Sequence, residues 1–115
     1  MAIEQWSDQV AIAHLAADPQ FSDDIQSLLD PARRIGGDVV LDFSAIRFVN
    51  SSHIARLLKL RKRMIADGNQ LVLCGIDSQV WTAFLVTGLD KVFQCSDSVP
   101  TALATLQMAR EPAGE

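Results

Sequence analysis

Apolar residues along this chain fall into two kinds of run, short stretches of strand length and longer stretches with helical spacing, and the two alternate. Ile3 to Trp6 and Val10 to Leu15 read as two short strands joined by a turn at Ser7-Asp8, and so as a hairpin. Over Phe21 to Ile35, Phe21, Ile25, Leu28, Leu29 and Ala32 recur at helical spacing. Ser22, Asp23 and Asp24 stand at the end that favours caps and negative charge, and Pro31 places an end or a bend near Leu29. Arg33, Arg34, Gly36 and Gly37 close this segment. A strand follows over Val39 to Ser44, and then a helix on which Ile54, Leu57, Leu58, Leu60, Met64 and Ile65 mostly share one stripe. Gln70 to Ile76 is a nearly unbroken apolar run, the pattern of a strand covered on both faces. Asp77 and Ser78 offer a cap for a helix over Gln79 to Thr87, with Val80, Trp81, Phe84 and Leu85 inward and Gly88 ending it. Lys91 to Cys95 reads as a short last strand. Pro100 suits the first turn of a final helix carrying Ala102, Leu103, Leu106 and Met108. This order predicts an α/β fold in one domain over residues 1–109: a mixed sheet of four to five strands, antiparallel in the N-terminal hairpin and parallel through βα units, flanked by about four helices. Residues 110–115 are expected to form a disordered tail.

Composition narrows the function classes. A chain of 115 residues is long enough for one proper core, and 49% hydrophobic with 21% charged residues argues against disorder. A net charge of −4 gives no reason to expect nucleic-acid binding. No run reaches the ~20 apolar residues of a membrane span, and the start lacks the basic-then-apolar pattern of a signal peptide, so a cytoplasmic location is expected. Cys74 and Cys95 form no CxxC and have no histidine near them in sequence, so they read as buried free thiols and no metal or other cofactor is expected. His14, alone on its strand with no acidic or cysteine partner in register, reads as a packed or edge residue rather than a ligand.

Candidate chemistry concentrates between Val39 and Asp67. A strand passes through a connection holding Arg47 and Phe48 into the polar tetrad Asn50-Ser51-Ser52-His53, and a helix begins at once. Asn50 and Ser51 are the natural capping candidates, and Ser51 and Ser52 present hydroxyls at the positive end of the helix. Ser51 is then either a capping serine and nothing more, or a switch. Arg56, Lys59, Arg61, Lys62 and Arg63 hold half of the ten basic residues, which reads either as a patch steering an acidic partner or as a solvated face. Ser51 and His53 are too close along the chain to be assumed a nucleophile and its base. There is no GxSxG elbow, no acid placed to orient His53 and no glycine-rich phosphate loop, so no catalytic residues are assigned.

The run FVNSSHIARLLKLRKRMIADGNQLVLCGI, followed by VWTAFLVTGLDKVF, resembles a STAS domain, the module of bacterial anti-sigma factor antagonists and of sulfate-transporter tails. The resemblance covers about residues 10 to 107, and its most specific part is the strand-to-helix turn. It implies that the serine phosphorylated by anti-sigma kinases falls on Ser51, with Ser52 as second choice. Asn50 replaces the family's acidic residue and His53 its glycine. An imidazole there is expected either to narrow the approach of a kinase or to join a partner's recognition surface. What the resemblance implies is a protein-interaction module in transcription regulation by partner switching. It would bind an anti-sigma factor or serine kinase through Arg47, Asn50, Ser51, Ser52, His53, Arg56 and Lys59, and phosphorylation of Ser51 would release it. A PP2C-type phosphatase would be a second partner, and a homodimer is compatible with the fold. The alternative keeps the fold and drops the switch, giving a structural STAS subunit of a stressosome-like or lipid-transport assembly.

Overall fold

The hairpin forms because Val10 to Ala13 are buried while the first strand stays at the surface. β1 (Ala2–Ser7) pairs antiparallel with β2 (Val10–His14), and the register shifts between Gln5 and Ser7, so that Trp6 is the extra residue of a bulge. The structure, a computed structural model, describes residues 1–30 and 36–110. After β2 come α1 (Gln20–Leu29), β3 (Asp38–Asp42), α2 (Ser51–Ala66), β4 (Leu71–Cys74), α3 (Ser78–Thr87), a 3-10 turn (Leu89–Lys91), β5 (Gln94–Ser96) and α4 (Val99–Arg110). The five strands lie side by side in chain order, and every pair from β2 onward is parallel.

Alternation along the central strands divides the core. Val39, Leu41, Leu71 and Leu73 point to one face, where they meet Phe21, Ile25 and Leu28 of α1, Leu57, Leu60 and Met64 of α2, and Val80 and Phe84 of α3. Val40, Val72 and Cys74 point to the other face and meet Ala102, Leu103 and Leu106 of α4. Strands β3 and β4 are therefore covered on both faces, which is why their sequences are unbroken apolar runs. Phe21 packs edge-on against Phe43 with ring centroids 5.8 Å apart, joining α1 to the residue just beyond β3. Each of the buried Val, Leu, Ile, Phe and Met side chains among them contributes about 1.5–3 kcal/mol. No helix among the described residues is long and apolar enough to cross a membrane.

Several boundaries differ from the sequence reading. α1 ends at Leu29, with the Asp30 amide donating to the Ser27 carbonyl; the inward position expected at Ala32 and the basic pair Arg33-Arg34 lie outside the described residues, as does most of the expected tail. β4 is shorter than Gln70 to Ile76 because Gly75 takes φ of 68° and turns the chain. The last strand is not Lys91 to Cys95. Gly88 in the left-handed region leads into the 3-10 turn, the Phe93 amide donates to the Leu89 carbonyl, and pairing with β4 starts only at Gln94. Leu85 is 51% exposed rather than inward, because the inward stripe of its helix is filled by Val80 with Phe84; on the last helix Met108 is 75% exposed while Ala102 and Leu106 are buried.

Gly75 also closes one end of the sheet. A Cβ there would lie 3.1 Å from Asp42 Oδ1, in a backbone conformation that side chains rarely adopt. Gly75→Ala is expected to cost about 1–2 kcal/mol from the left-handed backbone alone. Urea denaturation checks this, and an unchanged midpoint would contradict it.

Candidate functional site

In a parallel sheet built this way the loops leaving β2, β3, β4 and β5 gather at one end, and the Asn50 to His53 turn lies among them. Asn50 is the N-cap of α2, in extended conformation, and its Oδ1 accepts the His53 amide at 2.9 Å. His53 returns the bond: its Nδ1 accepts the Asn50 amide at 3.1 Å. This reciprocal pair is a capping box in which an imidazole takes the place usually filled by glutamate or glutamine. Ser51 is the first helical residue rather than the cap. Ser51 and Ser52 are both exposed, and among the described residues neither hydroxyl has a hydrogen-bond partner. The cap is thus closed by the two residues that flank the serines, and the serines are left facing outward.

His53 itself is 1% exposed. The Asn50 N–H occupies the Nδ1 lone pair, which places the ring proton on Nε2, and Nε2 lies 3.0 Å from Ser22 Oγ and 3.4 Å from Asp18 Oδ2. The ring packs on Phe21 at a centroid distance of 4.5 Å. The expectation that this imidazole touches a partner or obstructs a kinase is therefore corrected. It is a core residue, and it ties the turn to α1 and the loop before it.

The basic residues also separate. Arg56 donates to the Ser22 carbonyl at 3.4 Å and Arg63 to the Leu28 carbonyl at 2.5 Å, so both bind α2 to α1. Lys59 and Lys62 are exposed. At ~1.5 Å per residue, Lys59 lies about 12 Å and Arg63 about 18 Å along the helix from Ser51, so the basic residues of α2 are strung along the helix instead of gathered beside the serine. Arg47 is near the turn, with its guanidinium 3.4 Å from the Ser44 carbonyl and from Asp77 Oδ2 and a side chain 70% exposed.

Two features escaped the sequence reading. Phe48 is 65% exposed, unusually open for a phenylalanine in a connection, and it borders a cleft of about 210 Å³ that it shares with Ala17, Asp18, Phe21, Ile46 and Arg47. Its apolar character next to the polar tetrad was the available signal. The second is His14, which has the acidic partner in register that the sequence did not reveal. Its Nδ1 lies 2.8 Å from Oδ2 of Asp42, its pairing residue on β3, and its Nε2 lies 3.2 Å from Glu4 Oε1 on β1. The bond to Asp42, then the one to Glu4, holds the imidazole pKa above its ordinary value. Cys74 is buried and its thiol is pushed up to about 12, chiefly by burial; Cys95 is half-buried, and both are free thiols.

The family model of the STAS domain matches residues 17–102. No curated protein is a significant sequence relative of the chain. Among solved structures, an anti-sigma-factor antagonist (STAS) domain protein from Planctomyces limnophilus superimposes with a TM-score of 0.76 at 21% identity, over 94% of this chain and 97% of that one. An RsbS variant from Moorella thermoacetica gives 0.73 at 19% identity, over 96% and 100%. A component of the stressosome, described as a signal integration and transduction hub, gives 0.67 at 21% identity, over 96% and 100%. At these identities the structures establish a shared fold, and the family match across residues 17–102 establishes that the chain belongs to the STAS-domain family.

Proposed function

We propose that this chain is a regulatory protein-interaction module that binds an anti-sigma factor or serine kinase of a partner-switching pathway through the Ser51 turn, and that phosphorylation of Ser51 releases it. The observation that carries this reading is the exposed Ser51 hydroxyl on the first residue of α2, without a hydrogen-bond partner among the described residues and held out by a cap that does not need it. A phosphate there adds about −1.5 to −2 charge at the electropositive end of the helix, where free N–H groups stabilise it. α2 therefore stays folded, and the change is felt by whatever is docked on the turn, as repulsion and lost fit. Phe48 and Arg47 flank the serines and supply the apolar anchor and the charge of the contact surface. Asn50, Ser52 and Lys59 complete it. Arg56 is half-buried and contributes at its edge, and His53 acts from beneath by fixing the turn.

The test has two arms. Incubation with the cognate kinase and ATP is expected to add one phosphoryl mass, abolished in Ser51→Ala. Ser51→Asp is expected to weaken partner binding by about 100-fold, some 2.7 kcal/mol. No phosphoryl mass on Ser51 or Ser52, with undiminished binding by Ser51→Asp, would sink the switch. It would leave a second reading, a constitutively docked structural subunit of a stressosome-like or lipid-transport assembly. That reading is favoured by Asn50, which keeps the capping oxygen where the family pattern has an acid but adds no charge for a kinase to meet.

A further inference from the structure

β4 leads into α3 on one face of the sheet and β5 leads into α4 on the other. The two connections diverge, as they do wherever open α/β sheets place ligands beyond the carboxyl ends of their strands. Between them is a cleft of about 500 Å³, within the range of small-molecule sites. Ile76, Trp81 and Cys95 form its wall and are packed against the larger core cluster, so the wall is preformed. Ser78, Ser96 and Asp97 form the polar part.

The charge that lines this cleft has one sign. Asp97 lines it, and among the described residues no basic side chain does. Asp90 is close enough that its charge, after burial, helps push the Cys95 thiol up to about 11. Cys95 is thus a protonated apolar wall at neutral pH and not a nucleophile. The helix N-termini nearby favour an anion less than uncapped ends would, because one amide of each is taken up from within the chain: Asp77 Oδ1 accepts the Val80 amide at 2.9 Å, and Ser98 Oγ accepts the Thr101 amide at 3.4 Å. An anion would also face the Asp97 carboxylate.

We propose that this cleft binds a small organic cation, an ammonium carried on an aromatic or aliphatic body, with the body against Trp81 and Ile76 and the nitrogen turned toward Asp97. The face of an indole attracts a cation that has shed part of its water, and a carboxylate beside it adds direction. Ser78 and Ser96 then offer hydroxyl oxygens to the remaining N–H groups.

Three matched probes test this on the full chain: phenethylammonium, phenylacetate and 2-phenylethanol, differing in charge at nearly constant shape. With Trp6 replaced by phenylalanine so that Trp81 alone reports, the indole N–H resonance is followed by NMR. Phenethylammonium is expected to give a saturable shift, with phenylacetate weaker by about tenfold or more and the alcohol between them. Asp97→Asn, an exposed position whose replacement leaves the core untouched, is expected to remove the preference for the cation. Phenylacetate binding as tightly as phenethylammonium, or no saturable shift with any of the three, would overturn the proposal. So would an undiminished preference in Asp97→Asn.

Discussion

Replacing His53 by glycine, the residue that the family pattern places after the serine pair, is expected to lower the free energy of unfolding by about 3 kcal/mol. Three losses add. The buried ring leaves a space beside Phe21 that the surrounding helices fill only in part. The Asn50 amide and the Ser22 hydroxyl lose their partner at 3.1 and 3.0 Å. A glycine in the first turn of α2 adds up to ~1 kcal/mol of backbone entropy. His53→Gln is the informative control, since glutamine is a natural capping-box residue at this position and can again accept the Asn50 amide. The expected order of urea midpoints is wild type, glutamine, alanine, glycine. A glycine variant as stable as wild type would mean that the imidazole is not the support of this turn. The same variant bears on function: with the cap half open, Ser51 and Ser52 lose their fixed positions, and partner binding should fall even though neither serine has changed.

How much of this was legible in the sequence depends on whether a feature is local. The N-terminal hairpin, the alternation that makes β3 and β4 buried strands and the Asn50 cap are written in residues within a few positions of one another. His53 is different. Asn-Ser-Ser-His reads equally well with the imidazole in solvent, and what buries it is Phe21 and Ser22 on α1, whose packing against α2 is a tertiary fact. The capping-box spacing from Asn50 to His53 was the one local hint, disguised because histidine stands where glutamate or glutamine is usual. Leu85 reads as inward because helical spacing fixes a stripe but not its width, and the core needs only the stripe's centre. The short run Lys91 to Cys95 could not be told from a turn followed by a strand until the left-handed Gly88 was in place.

Asp42→Ala is expected to cost about 2 kcal/mol at mildly acid pH and to remove a pH dependence that the wild type shows. Asp42 ends β3 with a side chain only 15% exposed, accepting from His14 Nδ1 at 2.8 Å and from the Ser44 amide at 3.0 Å. Burial alone would raise its carboxyl; the His14 and Ser44 hydrogen bonds outweigh that and hold it below its ordinary 3.8. Its contribution is therefore present above pH ~3.8 and lost as the pH falls through the lowered value. His14 runs the other way. Its pKa is raised above 6.5, so its contribution is complete below that value and fades as the pH climbs through the raised one. The two together stabilise most between about pH 4 and 6.5. His14 is 38% exposed, so solvent screening keeps the share that depends on its charge below ~1 kcal/mol. The wild-type urea midpoint should thus be higher at about pH 5.5 than at about pH 8.5, with the decline largely absent in both Asp42→Ala and His14→Gln. Parallel pH curves for all three proteins would show that the contact contributes no charge-dependent stability. A decline lost in Asp42→Ala but kept in His14→Gln would show that a titrating group other than His14 produces it, because the Asp42 bond to the Ser44 amide does not change between those pH values. Because His14 joins Glu4 of β1 to Asp42 of β3 across β2, the stability at stake is that of the hairpin edge, and the protection of the β1–β2 amides, relative to their intrinsic exchange at the same pH, should fall at alkaline pH before that of β3 and β4.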